Sequence, residues 1–424
     1  MNEALITPSS LSGTIDAPPS KSLTHRALYC ALLAHGTSHI QNALVCDDTA
    51  ATIRLCTALG ASISREGTVV TVEGVERPVV LTSPVDCGGS ATTLRLGMAV
   101  AAMAGNPVTL TGDRTLCTRP LGHLTDALAR LGVWCSAQGT ERTAPVTVAG
   151  PIKGGKTTLP GSVSSQFLSS LLIACPTAAA DTAITLSSPL ASRPYADLTV
   201  ACMEAFGVSV SHTPSYRSVS IPGGQAYRPT DLTVEGDYSS AAALLSAGAL
   251  AGKVTIRGLS GSSAQGDAAI VPLLASFGAA VSSVDKGITV SPGELSAITA
   301  DCTHTPDLVP VLAAVATQAR GTTRLLSVGR LRTKESDRLQ ATAETLTAMG
   351  ARISVHDDEL AIEGPTPLSG ATVWPHHDHR IAMACAVAAL VASGPTIITD
   401  AGCVDKSYPR FFADLAALGG DVRA

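Results

Sequence analysis

Residues 339–355 read LQATAETLTAMGARISV, and the fold is decided by how often this pattern returns. Leu339, Ala343 and Leu346 recur at helical spacing, Met349-Gly350 interrupts the helix, and a short strand-like stretch follows. The same helix, apolar residue and glycine occur at Leu59-Gly60, Leu131-Gly132, Phe206-Gly207, Phe277-Gly278 and Leu418-Gly419. The six glycines fall 72, 75, 71, 72 and 69 residues apart. Each is placed to end a helix with positive φ, which glycine adopts without a Cβ clash. Strand-like tails follow five of them, for example Val69–Val72, Val146–Val148 and Ile288–Val290, but after Gly419 the chain ends within five residues.

The missing tail has a counterpart at the opposite end of the chain. Pro8, Leu11-Ser12-Gly13 and Pro18 match Pro365, Leu368-Ser369-Gly370 and Pro375 at a constant offset of 357. The repeat set is therefore circularly closed. A solenoid has no need of its first strand to complete its last unit, and a repeat of about 71 residues with two helices is too long for the usual solenoids.

A second helix start lies in every unit, where a short strand meets a polar turn: Pro18-Pro19-Ser20-Lys21-Ser22, Gly88-Gly89-Ser90-Ala91-Thr92, Gly161-Ser162-Val163-Ser164-Ser165, Glu235-Gly236-Asp237-Tyr238-Ser239, Thr303-His304-Thr305-Pro306-Asp307 and Pro375-His376-His377-Asp378-His379-Arg380. Ser, Thr and Asp here are N-cap residues, and the free N–H groups they leave attract anions. Only 29 Lys and Arg are present among 424 residues, yet Lys21, Arg26, Arg95, Arg119, Lys334, Arg338, Arg380 and Lys406 stand near these starts. Such clustering suits a small ligand with several phosphate or carboxylate groups.

Composition narrows the reading. A net charge of -5 leaves no excess to neutralise nucleic acid, and neither G-x-x-x-x-G-K-[ST] nor a strand-linked G-x-G-x-x-G is present. The uncharged run Ile381–Thr399 is broken at Gly394-Pro395 and reads as a buried helix followed by a strand rather than a membrane span. Eleven cysteines without a C-x-x-C pair, and no secretory region ahead of the first strand, predict a reduced, cytoplasmic chain without disulfides.

The motifs Ala17–Arg26 (APPSKSLTHR), Gly88–Arg95 (GGSATTLR), Arg119–His123 (RPLGH), Gly161–Phe167 (GSVSSQF), Lys334–Arg338 (KESDR), Asp378-His379-Arg380 and Asp405–Pro409 (DKSYP) occur in order along the whole chain. Together they resemble the EPSP synthase (3-phosphoshikimate 1-carboxyvinyltransferase) family. The resemblance implies an α/β fold of two domains, each of three βαβαββ units with pseudo-threefold symmetry, helices inside and strands outside. It places residues 1–16 and 237–424 in one domain and 17–236 in the other, with the active site in the cleft between them. It implies transfer of the enolpyruvyl group of phosphoenolpyruvate to the 5-hydroxyl of 3-phosphoshikimate, in the route to chorismate and aromatic amino acids. Addition and elimination pass through a tetrahedral ketal without metal or cofactor. A cytoplasmic monomer with no nucleic-acid or membrane partner is expected.

Carried over residue by residue, the resemblance makes Lys21, Asp307 and Glu335 the proton-transferring groups. It assigns 3-phosphoshikimate to Lys21, Ser22, Arg26, Ser164, Ser165, Gln166, Ser192, Tyr195, Asp307, Arg330 and Lys334. Phosphoenolpyruvate falls to Lys21, Ala91, Arg119, Gln166, Arg338, Arg380 and Lys406. Gly89 and Ala91 stand where many members have Asn and Gly, and Arg330 stands where some place an Asn. The Ala91 methyl would project toward the phosphonate of glyphosate, an inhibitor longer than phosphoenolpyruvate, so tolerance is expected. The sister enzyme, UDP-N-acetylglucosamine enolpyruvyl transferase, fits less well: it has Lys-Asn in place of Lys21-Ser22, and its loop cysteine lies five residues before Arg-Pro, whereas Cys117 lies two before Arg119. A non-catalytic scaffold for anionic partners gives no reason to combine Lys21, Asp307 and Glu335 with the serines.

Overall fold

The computed structural model describes residues 3–284 and 287–424, so Met1 and Asn2 of the N-terminal segment lie outside the described residues. The chain separates into two compact units, Met1–Pro18 with Gly236–Ala424, and Pro19–Glu235. Each contains three four-stranded sheets.

All six sheets share one plan, seen in the sheet ordered 299–301, 321–326, 359–364, 352–355. Thr299–Asp301 runs parallel to Gly321–Leu326, which pairs antiparallel with Glu359–Gly364, and that strand forms a hairpin with Arg352–Val355. Between these strands lie the helices Val309–Ala316 and Arg338–Ala348, so the unit reads βαβαββ. The strands are half-buried: Thr143–Ala149 alternates buried and partly exposed residues along its whole length, as expected of a sheet covered on one face.

The last repeat is completed from the N-terminus. Asp421–Arg423 forms a short edge strand after Gly419, and its partner is Glu3–Thr7, which sits between it and Thr396–Thr399. Shifting Glu359–Gly364 by the offset of 357 lands on residues 2–7, which include the counterpart strand Glu3–Thr7. The glycines that end the six repeat helices have φ of +107, +94, +79, +105, +97 and +100° at Gly60, Gly132, Gly207, Gly278, Gly350 and Gly419. An L side chain is strained there, which is why the pattern returns to glycine.

The first helix of each repeat forms the interior. Ala91–Ala102 packs on both Lys21–Leu32 and Ser165–Ala174 in one unit, and Tyr238–Ala251, Val309–Ala316 and His379–Ala389 pack on one another in the other. Tyr238–Ala251 (YSSAAALLSAGALA) is apolar on every side, the signature of a fully buried helix. Small residues allow close approach: a Cβ on Gly97 would lie 2.3 Å from Leu55 Cδ2. With both flanks and the far end enclosed, charge survives only in the first two turns, at Lys21, Arg26, Arg95 and Arg380. Ile381–Thr399 is the expected buried helix followed by a strand, Thr396–Thr399, and no helix among the described residues is long and apolar enough to cross a membrane.

Candidate active site

Five of the six interior helices begin with a side-chain cap: Ser20 accepts from Leu23 N, Ser90 from Thr93 N, Ser164 from Gln166 N, Asp237 from Ser240 N and Asp378 from Arg380 N. The exception is Thr305-Pro306-Asp307, where a 3-10 turn leads into Val309–Ala316 and no side chain caps it. Asp307 turns instead toward cations, and that departure marks the chemistry of its unit.

In the Pro19–Glu235 unit, Lys21 Nζ lies 2.8 Å from Asp48 Oδ2 on the helix Asp47–Ala58. Arg26 is buried and its three nitrogens bond to neutral acceptors: Nε to Thr199 Oγ1 at 2.7 Å, Nη1 to Ser22 O at 2.8 Å and Nη2 to Tyr195 O at 2.9 Å. The guanidinium also sits over the Tyr195 ring at 5.9 Å. Loss of hydration lowers its pKa to about 10. Gln166 Oε1 accepts from Arg95 Nη1 at 2.9 Å and its Nε2 donates to Thr92 Oγ1 at 3.0 Å, which fixes the amide between two helix starts. Ser165 is buried, and Ser192 is buried at positive φ ahead of Arg193–Ala205, the helix that carries Tyr195. Ala91 is the first residue of its helix, and the buried Arg119 follows the turn Leu116–Thr118.

In the other unit Arg338, 1% exposed, is the hub. Nη1 donates to Asp307 Oδ1 at 2.8 Å, Nη2 to Glu335 Oε2 at 2.7 Å, and Nε to Asp378 Oδ2 at 2.9 Å. Lys334 Nζ is 3.9 Å and Arg380 Nη2 3.8 Å from Asp307. Burial works to raise the Asp307 carboxyl, but Lys334, Arg338 and Arg380 outweigh it and hold it well below the usual carboxylate range. Desolvation, helped by Arg338 and Arg330 and opposed by Asp307 and Glu335, pushes Lys334 down to about 8. Arg330 donates to Thr303 O and lies 3.5 Å from Cys302 O, on the loop leading to Asp307. Lys406 ends the turn Ala401–Lys406.

The unit thus holds an ionised carboxylate, an amine whose pKa is lowered to about 8 and a carboxylate gripped by arginine. That set can accept a hydroxyl proton, deliver a proton and bind anions. The three histidines beside Arg380 do not converge: His376 pairs with Glu344 at 3.2 Å, His377 with Asp400 at 2.6 Å, and His379 is buried. Among the described residues no group of three or more His, Cys, Asp or Glu side chains is placed to hold a metal ion.

The profile of the EPSP synthase (3-phosphoshikimate 1-carboxyvinyltransferase) family matches residues 5–415. The chain belongs to the EPSP synthase family. Among its relatives, the 3-phosphoshikimate 1-carboxyvinyltransferase of Methanocorpusculum labreanum is 41% identical over 421 residues, covering 99% of each chain. That of Halobacterium salinarum is 44% identical over 430 residues, again covering 99% of each. The solved EPSP synthase of Acinetobacter baumannii superposes with a TM-score of 0.83 at 28% identity, covering 100% of both chains. The enolpyruvyl transferase NikO of Streptomyces tendae, at 20% identity and a TM-score of 0.81, shares the fold.

Sequence motifs of this family do not contain every group that shapes the two constellations. Asp48 and Asp267 lie outside them, and His25 lies within Ala17–Arg26 without an assigned role. Asp48 stands in the double acid Asp47-Asp48 at a helix start, a legible cap signal, but only folding brings it to Lys21. His25 is buried beside Thr52 Oγ1 at 2.6 Å, and burial lowers its pKa to about 3, so the ring is neutral.

Proposed function

We propose that this chain transfers the enolpyruvyl group of phosphoenolpyruvate to the 5-hydroxyl of 3-phosphoshikimate and releases inorganic phosphate. The observation that carries the reading is the convergence of Asp307 and Glu335 on the buried Arg338, with Lys334 beside Asp307. Addition requires a base for the hydroxyl proton and an acid for the methylene carbon of phosphoenolpyruvate; elimination then returns that carbon's proton as the C–O bond to phosphate breaks. Asp307, kept ionised by three cations, suits the hydroxyl. Glu335, gripped by Arg338, is assigned to the methylene carbon, with Lys21 as the further proton-transferring group, and Lys334, its pKa lowered to about 8 and so still largely cationic at pH 7, binds 3-phosphoshikimate beside Asp307.

We assign the remaining anion contacts as the family motifs place them. Ser22, Arg26, Ser164, Ser165, Gln166, Ser192, Tyr195 and Arg330 serve 3-phosphoshikimate; Arg119, Gln166, Arg338, Arg380 and Lys406, with Ala91 alongside, serve phosphoenolpyruvate. The geometry supports a positioning part for Arg26, whose bonds to Ser22 O and Tyr195 O tie two of these residues together. A monomer in the cytoplasm completes the proposal, the latter supported by an odd cysteine count without C-x-x-C pairs; sedimentation equilibrium tests the former. Phosphate release is measured with phosphoenolpyruvate and either 3-phosphoshikimate or UDP-N-acetylglucosamine. Release with the first alone is expected, and release with the sugar nucleotide alone would overturn the assignment.

A further inference from the structure

Asp267 belongs to none of the motifs above. It lies in the short turn Gly266–Ala269 and is buried, 1% exposed. The Ser239 hydroxyl donates to its Oδ2, while Oδ1 is buried with no hydrogen-bond partner among the described residues. Ser239 links it to the anion site, because the Ser239 carbonyl accepts from Arg380 Nη1. The carboxyl therefore reaches Arg380 through one intervening residue.

Titratable groups face it from each neighbouring element: Asp237 from the cap of Tyr238–Ala251, Asp307 from the turn Pro306–Leu308, Arg380 from His379–Ala389, and Cys302. Burial and then Asp307 raise the carboxyl to about 7, Asp237 adding to this while the Ser239 bond and Arg380 oppose it. At neutral pH the group thus exchanges its proton, and every ionisation removes a unit of positive charge from the field that an incoming anion meets.

We propose that Asp267 is a positioning residue that couples anion binding at the Asp307–Arg380 constellation to the uptake of a proton. Protonated, it leaves the Arg380 charge to the ligand; ionised, it competes for that charge. The coupling is reciprocal, so anionic substrates raise the proton affinity of Asp267 and alkaline pH weakens their binding. This rests on the functional reading above, which supplies the anions.

The test is D267N, whose amide oxygen still accepts from Ser239. KM for phosphoenolpyruvate is measured for both enzymes from pH 6.5 to 8.5; because both meet the same substrate, its own ionisation cancels in the ratio. The unaltered enzyme is expected to lose about tenfold in affinity relative to D267N across that range, with the two within about twofold at pH 6.5. A merely structural role shifts D267N by a constant factor, and a ratio independent of pH overturns the inference. Titration calorimetry of the unaltered protein with 3-phosphoshikimate at pH 7, in buffers of different ionisation enthalpy, stands without the variant, because Lys334, at about 8, is already largely protonated there. Uptake of about half a proton is expected, and no uptake refutes the coupling. Absence of turnover at every pH overturns the functional reading and this inference with it, whereas turnover with a pH-independent ratio overturns the inference alone.

Discussion

Replacing Asp378 tests whether the Arg338 hub holds its unit together. Asp378 is 0% exposed, and its carboxylate receives Arg338 Nε at 2.9 Å, Arg338 Nη2 at 3.2 Å, the Ser336 hydroxyl at 3.1 Å and the Arg380 amide at 2.9 Å. Removing one partner of a buried ion pair costs about 3–5 kcal/mol, because the remaining charge is left uncompensated. Loss of an N-cap costs about 1 kcal/mol. The same carboxylate supplies both interactions, so the effects overlap rather than add, and Glu335 and Asp307 still face the guanidinium. Asp378→Ala should therefore cost about 4 kcal/mol, a large share of an ordinary stability of about 5–15 kcal/mol. Asp378→Asn keeps the cap and one acceptor and should cost roughly half as much. The chain has two tryptophans, one in each unit, and Trp374, 50% exposed and tilted against the His376 ring at 4.3 Å between centroids, stands four residues before Asp378. With Trp134 replaced by Phe, urea unfolding followed by Trp374 fluorescence reads the affected unit. A loss below about 1 kcal/mol at an unchanged urea slope would refute the reasoning, since two carboxylates would then suffice for the buried guanidinium.

Three further outcomes follow from the same geometry. Lys21→Met, Asp307→Ala and Glu335→Gln should each lower kcat by about 10²–10⁴-fold with the fold retained by circular dichroism, and near-normal turnover in Glu335→Gln would remove that residue from the mechanism. His25 is neutral when folded and protonates near its ordinary pKa when unfolded; its stabilising contribution is complete above about pH 6.5 and is lost as pH falls toward 3. Stability measured from pH 7 to 4 should thus fall less steeply for His25→Asn than for the native chain, and parallel curves would contradict this. Ala91, buried at the first position of its helix, should hinder glyphosate by about 1–3 kcal/mol; Ala91→Gly should lower its inhibition constant about tenfold while changing KM for phosphoenolpyruvate less, and equal inhibition constants would refute the steric argument.

Local chemistry made much of the architecture legible. A glycine that ends a helix at positive φ is required by backbone sterics alone, so Gly60 and its five equivalents could be read one at a time. Ser20, Ser90, Ser164, Asp237 and Asp378 cap because their side chains reach an amide two or three residues ahead. The offset of 357 foretold that the N-terminal strand belongs beside the last repeat, since matching side-chain patterns demand matching faces.

What the tertiary structure decided involves partners with no fixed spacing. Leu232-Thr233 precedes the helix Tyr238–Ala251 of one unit but pairs with Ile40-Gln41 in the other, and Leu11–Asp16 precedes Lys21–Leu32 yet pairs with Gly252–Arg257. Each crossing strand completes the sheet of the unit it leaves, an outcome set by which edge is open. The charged constellation has the same origin. Glu335 and Arg338 are three residues apart and readable as a pair, but Asp307 and Asp378 reach that guanidinium from 31 and 40 residues away, and Asp267 meets Ser239 across 28. A carboxylate in sequence carries no sign of its surroundings. The cations that folding assembles around Asp307 keep it ionised against the effect of burial, whereas burial lets Asp267 keep a proton near neutrality.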